Sequence, residues 1–172
     1  MKNKIESTII ITAENQERFI ERCIKSCLNQ SVKHIEIIII FTNLKNINVL
    51  KRRYLSKNIV FLNIPKKINK PTQDQLFKIK QGLLISRGKY IFLLDGDDTY
   101  KKNKVKEAIN SIKNKKVLFL DNYENNKNDI KQINKVHGFK ETNLYKTIIN
   151  AWPKGVCTSC IVLNRDLLNE FF

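Results

Sequence analysis

GLLISRGKYIFLLDGDD, residues 82–98, is the stretch on which the fold turns. Its first half closes a helical pattern at Gly88, a residue suited to a helix C-terminus. Its second half is an apolar run, Tyr90 to Leu94, leading straight into Asp95, Asp97 and Asp98. Unbroken apolar runs of this length mark strands covered on both faces, as in parallel sheets. Carboxylates crowded at the end of a buried strand repel one another and resist ionisation. The pattern predicts a site that receives a positive charge.

Outward from this stretch, strands and helices alternate. STIIIT (7–12), IEIIIIF (35–41) and IVFLNI (59–64) read as strands. Residues 15–29 form an amphipathic helix, and 48–56 a weak one. Pro71 to Gln75 reads as a helix start, with Thr72 as cap and Gln75 as its capping-box partner. That helix runs to about Ser86. Downstream, Val105, Ala108, Ile109 and Ile112 mark a further helix, and VLFLD (117–121) a fifth strand. The polar stretch from Tyr123 to Val136 reads as a mobile loop. Leu144, Ile148 and Ile149 suggest another helix, and CIVLNRDLLNEFF a strand entering a last one. The order predicts one α/β domain over residues 1–172, with an open, mostly parallel sheet. Ligands of such sheets collect beyond the carboxyl ends of the strands, where Asp95 falls.

The composition is globular, with 42% hydrophobic and 28% charged residues. The formal net charge of +16 would attract nucleic acid, anionic lipid or a phosphorylated substrate. Its lysines scatter through every segment, however, alongside abundant Ile and Asn. Codon bias and solubility therefore explain most of the charge, and no specific nucleic-acid partner is expected. No stretch spans a bilayer, and the basic start lacks a signal-peptide core. A cytoplasmic location is expected, with room for peripheral attachment at the inner face of an anionic membrane. Of the four cysteines, Cys23 and Cys27 lie on the apolar stripe Phe19, Ile20, Cys23, Ile24, Cys27, Leu28. Core packing is the expected role there, ahead of zinc or a disulfide. His34 reads as a solvated connection. His137 in the polar loop and Trp152 are weaker candidates for touching phosphate or stacking on a sugar.

Asp95-Gly96-Asp97-Asp98 carries the clearest chemistry. Mg2+ or Mn2+ takes oxygen ligands, typically one or two carboxylates plus phosphate oxygens. The glycine lets the flanking aspartates turn toward a common point. Such an ion would offset the carboxylate repulsion and stabilise a diphosphate leaving group. The plainer alternative is an Asp/Gly turn capping the following helix. The lysines after Tyr100 read as the solvated face of that helix.

STIIITAENQERFIERCIKSCLNQSVKHIEIIII and GLLISRGKYIFLLDGDD together resemble family 2 glycosyltransferases, inverting enzymes that use nucleotide-activated sugars. The first stretch carries a Ser-x-x-x-Gln-like element, Ser26 to Gln30, ahead of an Ile-Glu-Ile-Ile strand. The resemblance covers nearly the whole chain and implies a GT-A (Rossmann-like) three-layer sandwich. It implies metal ligation by Asp95 and Asp97, with Asp98 as neighbour or alternative ligand. It also implies a nucleotide-sugar site of Thr12, Glu14, Thr42, Asp95 and Asp97, a nucleotide-diphosphate sugar donor and a glycan or lipid-linked acceptor.

Departures from the family pattern are equally legible. Thr12-Ala13-Glu14-Asn15 stands where the family shows a Pro-x-Tyr-Asn-like turn. Phe41-Thr42-Asn43-Leu44 replaces an Asp-Asp-Gly-Ser whose aspartate reads the nucleotide base, and Ile79-Lys80 stands at an Arg-Asn position. Inverting transfer requires a general base, which the family places in a Glu-Asp motif beyond a segment resembling Cys157 to Arg165. No such motif occurs before Phe172, and Asp166 and Glu170 read as first-turn helix residues. The base is thus not identified within 1–172, as in a truncated transferase or a short relative. Two other readings follow: a GT-A-like binding or scaffold domain without transfer activity, and a basic nucleic-acid-binding domain supported only by charge.

Overall fold

The structure, a computed structural model, describes residues 5–55, 57–66, 68–112, 117–120, 123–124, 130–131, 135–138 and 157–165. Its first half runs β1 (Ser7–Glu14), α1 (Ile20–Leu28), β2 (Ile35–Thr42), α2 (Ile47–Arg53), β3 (Ile59–Asn63), α3 (Pro71–Ile85), β4 (Tyr90–Asp95) and α4 (Lys104–Ile112). The short strands β5 (Val117–Leu120), β6 (Tyr123–Glu124), β7 (Ile130–Lys131), β8 (Lys135–Gly138) and β9 (Ile161–Asn164) follow. The main sheet has seven strands in the order β3-β2-β1-β4-β9-β5-β8. β1 pairs in parallel with both β2 and β4, and β2 with β3. β9 returns antiparallel between β4 and β5, and β8 pairs antiparallel with β5. The mostly parallel α/β architecture agrees with the sequence reading.

Alternation along the central strands builds two cores. Ile9, Ile11, Ile37, Ile39, Phe92 and Leu94 face Ile20, Cys23 and Ile24 of α1 and Val105 and Ile109 of α4. Ile10, Ile38, Ile40, Ile91 and Leu93 face Ile79 of α3. Helices thus cover both faces, which is why the middle of each of these strands is apolar on both sides. Each buried Ile or Leu contributes about 1.5–3 kcal/mol relative to exposure, enough for the sheet centre to carry crowded carboxylates at its edge. Gly82 lets α3 lie close, because a Cβ there would stand 2.8 Å from Ile10 and Ile40. Cys23 and Cys27 are buried in the α1 core as expected, and all four cysteines are free.

Four expectations need correction. α3 begins at Pro71 with Lys70 in the N-cap position and no side-chain cap, so Thr72 and Gln75 form no capping box. Pro at the first helical position dispenses with an amide the helix would leave unpaired anyway. Lys104 is buried, its ammonium 5.5 Å from the Tyr100 ring centre, so the lysines after Tyr100 are not all solvated. Within 123–136, β6 pairs with β7, so that stretch is not purely loop. His137 stands in β8 opposite Leu118. The expected helix around Leu144 to Ile149 and Trp152 lie outside the described residues.

Candidate active site

The parallel register sets Thr12 of β1 beside Asp95 of β4 at the carboxyl edge of the sheet. Just beyond, the chain turns through Gly96, whose amide donates to the Thr12 carbonyl at 2.9 Å. A Cβ on residue 96 would stand 2.5 Å from Gln16 Oε1 and 2.8 Å from Ala13 Cβ. Only glycine lets the two strand ends meet this closely. The Asp98 amide then donates to the Asp95 carbonyl at 3.0 Å, closing a tight turn.

Beside this turn lies a cleft of about 310 Å³. Thr12 and Glu14 reach it from β1, Asp74, Gln75 and Lys78 from α3, and Asp95 and Asp97 from the β4 end. Four of the five expected nucleotide-sugar residues therefore line one cavity. Thr42 does not: it is buried, and its hydroxyl donates to the Ile64 carbonyl at 2.7 Å.

Electrostatics separate the aspartates. Burial, then the charges of Asp98 and Asp97, pushes the Asp95 carboxyl up to about 7 from 3.8. Its Oδ1 accepts from Gln75 Nε2 at 2.5 Å and from the Thr12 hydroxyl at 3.4 Å. Among the described residues, no lysine or arginine forms an ion pair with Asp95, Asp97 or Asp98. Asp97 is exposed, and its carbonyl accepts from Arg22 at 2.7 Å.

Asp98 faces the segment that enters β9, whose 3-10 turn spans Thr158–Cys160. Ser159 donates to Asp98 Oδ2 at 2.5 Å while accepting the Asp95 amide at 3.0 Å. The Cys157 thiol lies 3.4 Å from the same Asp98 oxygen. Cys160, burial and Asp98 all push that thiol up, so it stands as S–H rather than thiolate. Asp95, Asp98 and Cys157 bring one ligand atom each to within 4.8 Å of one another. The sequence reading grouped Asp97 with Asp95 and Asp98. In the structure Asp97 opens on the cleft, and Cys157 joins the other two. Two carboxylates lacking a cationic partner suit a hard divalent ion.

Gln75 and Ser159 went unnoticed in the sequence. Gln75 looked like a cap because helix starts favour such residues, and its contact with Asp95 spans 20 residues. Ser159 lies 61 residues from Asp98, with no local pattern to announce it. The Ser-x-x-x-Gln element proves to be a brace. Ser26 Oγ accepts the Tyr100 amide at 3.1 Å, and Gln30 bonds the Lys101 carbonyl at 2.9 Å and the Val105 amide at 3.1 Å. It thereby ties α1 to the segment that follows the aspartates.

The family model for glycosyl transferase family 2 matches residues 8–172. The chain belongs to glycosyl transferase family 2. Its fold is the GT-A fold of several solved glycosyltransferases. One is S. aureus TarS 1-349, at 15% identity and a TM-score of 0.65, covering 96% of this chain and 48% of that one. The same protein in complex with UDP-GlcNAc aligns at 18% identity and a TM-score of 0.60, covering 74% and 37%. A mannosyltransferase from Pyrobaculum calidifontis, in complex with GDP-Man and Mn2+, aligns at 12% identity and a TM-score of 0.64, covering 98% and 47%. The family 2 chain described here thus spans less than half the length of these structures. No curated protein sequence matches it. Among the described residues, no helix is long and apolar enough to cross a membrane.

Proposed function

We propose that this family 2 domain binds a nucleotide-diphosphate sugar in the cleft and serves inverting sugar transfer to a glycan or lipid-linked acceptor. The observation that carries this reading is the convergence of Thr12, Glu14, Asp95 and Asp97 on one cavity at the carboxyl edge of a parallel sheet. The nearby lysines and the net charge of +16 suit a polyphosphate. Asp95 and Asp98, whose ligand atoms lie within 4.8 Å of one another, would hold Mg2+ or Mn2+, with Asp97 on the cleft side as a further ligand. When bound, such an ion supplies Lewis-acid stabilisation of the diphosphate leaving group.

The chain's own residues prepare the site. Gln75 and Thr12 orient the Asp95 carboxylate, and Ser159 fixes the Asp95 amide and the Asp98 side chain together. Thr42, its hydroxyl engaged by Ile64, acts through the shape of the β2 end rather than by direct contact. The general base is not among the residues assigned here. A scaffold role without transfer is the second reading, favoured by the replacement of the family's base-reading aspartate with Thr42.

Thermal shift with Mn2+ and nucleoside diphosphates tests the proposal. Wild type should gain stability only when metal and diphosphate are present together, by about 2.7 kcal/mol at a hundredfold excess over Kd. Asp97→Ala should lose most of that gain. An unchanged response in the variant would remove Asp97 from the site.

A further inference from the structure

Lys78 sits one helical turn after Asp74 on α3, with only 3% of its side chain exposed. Its ammonium pairs with Asp74 Oδ2 at 2.7 Å and with Glu14 Oε2 at 3.3 Å. Lys66 takes the other Glu14 oxygen, Oε1, at 2.7 Å. An ammonium this shielded is tolerated when carboxylates are paired with it, and the pairing holds those carboxylates in place. Lys66 and Lys78 also keep the Glu14 carboxyl below the usual range. Glu14, with 28% of its side chain exposed, is the more accessible of the two carboxylates, and it lines the cleft. At the β2 end Thr42 is buried and its hydroxyl is turned to Ile64, so it brings no carboxylate to the cleft.

We propose that Glu14, braced by Lys78 and Lys66, reads the base of the donor nucleotide and selects guanine. This rests on the reading of the cleft as a nucleotide-sugar site. A carboxylate only accepts hydrogen bonds, and it binds best to two parallel donors. Guanine alone among the common bases presents two adjacent donors, N1–H and the N2 amino group, with the O6 acceptor beside them. Lys66, bonded to the same carboxylate, supplies a donor for that O6. Uracil presents one N–H between two carbonyls, so one of its carbonyl oxygens would face a carboxylate oxygen. Adenine and cytosine each place a single amino group beside a ring acceptor, which meets the same opposition. Lys78 is a positioning residue here: it touches no base and fixes the carboxylate that does.

Calorimetric titration with Mn2+ tests this, using GDP, UDP, ADP and CDP, and inorganic pyrophosphate as a base-free reference. GDP should bind wild type about tenfold or more tightly than the other diphosphates, the discrimination expected of one bidentate contact. Glu14→Gln should cut that preference about tenfold, with a much smaller loss for pyrophosphate. Lys78→Met should cut it in the same way, and a urea titration establishes that the variant is folded. Lys66→Met, at a partly exposed pair, gives a milder version should Lys78→Met fail to fold. Equal binding of UDP and GDP, or equal losses for GDP and pyrophosphate in Glu14→Gln, would overturn the guanine assignment and leave the nucleotide site standing. Failure of pyrophosphate and every nucleoside diphosphate to bind would overturn both.

Discussion

Glu36 at the amino edge of the parallel sheet and Asp95 at its carboxyl edge are treated in opposite ways. At the amino edge, Glu36 of β2 is 1% exposed and fully matched. Arg87 approaches it through Nη2 at 2.6 Å and through its own amide at 2.9 Å, and Thr8 donates at 2.9 Å. Gly88 and Arg165 close that edge, through Thr8 Oγ1 and the Gly88 carbonyl. At the carboxyl edge, Asp95 and Asp98 receive hydrogen bonds from neutral groups, and no cation pairs with them among the described residues. One edge is a finished structural joint, while the other keeps unbalanced charge beside an open cleft. Under the proposed function, the metal and diphosphate would balance the charge that folding leaves uncompensated there.

The sharpest way to break this comparison is pH. Asp95 titrates near 7 in the folded chain against 3.8 for an ordinary aspartate, so the folded state holds the proton more tightly. Its contribution is therefore most favourable below pH 3.8 and is lost as pH rises toward 7, by about 4 kcal/mol in total. In urea titrations with EDTA, Asp95→Asn should be more stable than wild type at pH 8 and indistinguishable from it near pH 4. A wild-type advantage at pH 8 in EDTA would contradict an uncompensated carboxylate.

Arg87→Ala strikes the opposite edge. It strips the cation from a buried carboxylate and should cost about 3 kcal/mol by urea denaturation. Adding Mn2+ should not restore it, because the lesion lies at the far end of the strands. A loss below about 0.5 kcal/mol would place the pair with ordinary surface ion pairs.

Gly96→Ala sharpens the comparison at the turn itself. The new methyl meets Gln16 and Ala13, an overpacking that should cost about 2 kcal/mol. It should also weaken the joint metal and diphosphate response, since the turn sets the spacing of Asp95 and Asp97. Retention of the full response would show that the spacing is not critical.

Much of the fold was legible because it rests on local patterns. The strands ending in Phe41 and Asp95 announced themselves as apolar runs, and α1 by its stripe of Ile20, Cys23, Ile24 and Cys27. Asp95 and Asp97, which line the cleft, were legible as candidates for a related reason: carboxylates following a buried strand conflict with their surroundings. Lys104 and the start of α3 were misread, since propensity could not anticipate the Tyr100 ring or the path of Gln75 toward Asp95.

The sequence by itself determined a mostly parallel α/β sheet with acidic residues at its carboxyl edge, because periodicity and burial are written residue by residue. Only the tertiary structure decided which side chains share the site. It turned Thr42 to Ile64, parted Asp97 from Asp98, set Ser159 and Cys157 against Asp98, and brought Gln75 and the Glu14–Lys78–Asp74 group around the cleft. The reason is distance along the chain. Most of these partners lie 20 to 64 residues apart, and only strand order and register bring them within hydrogen-bonding reach.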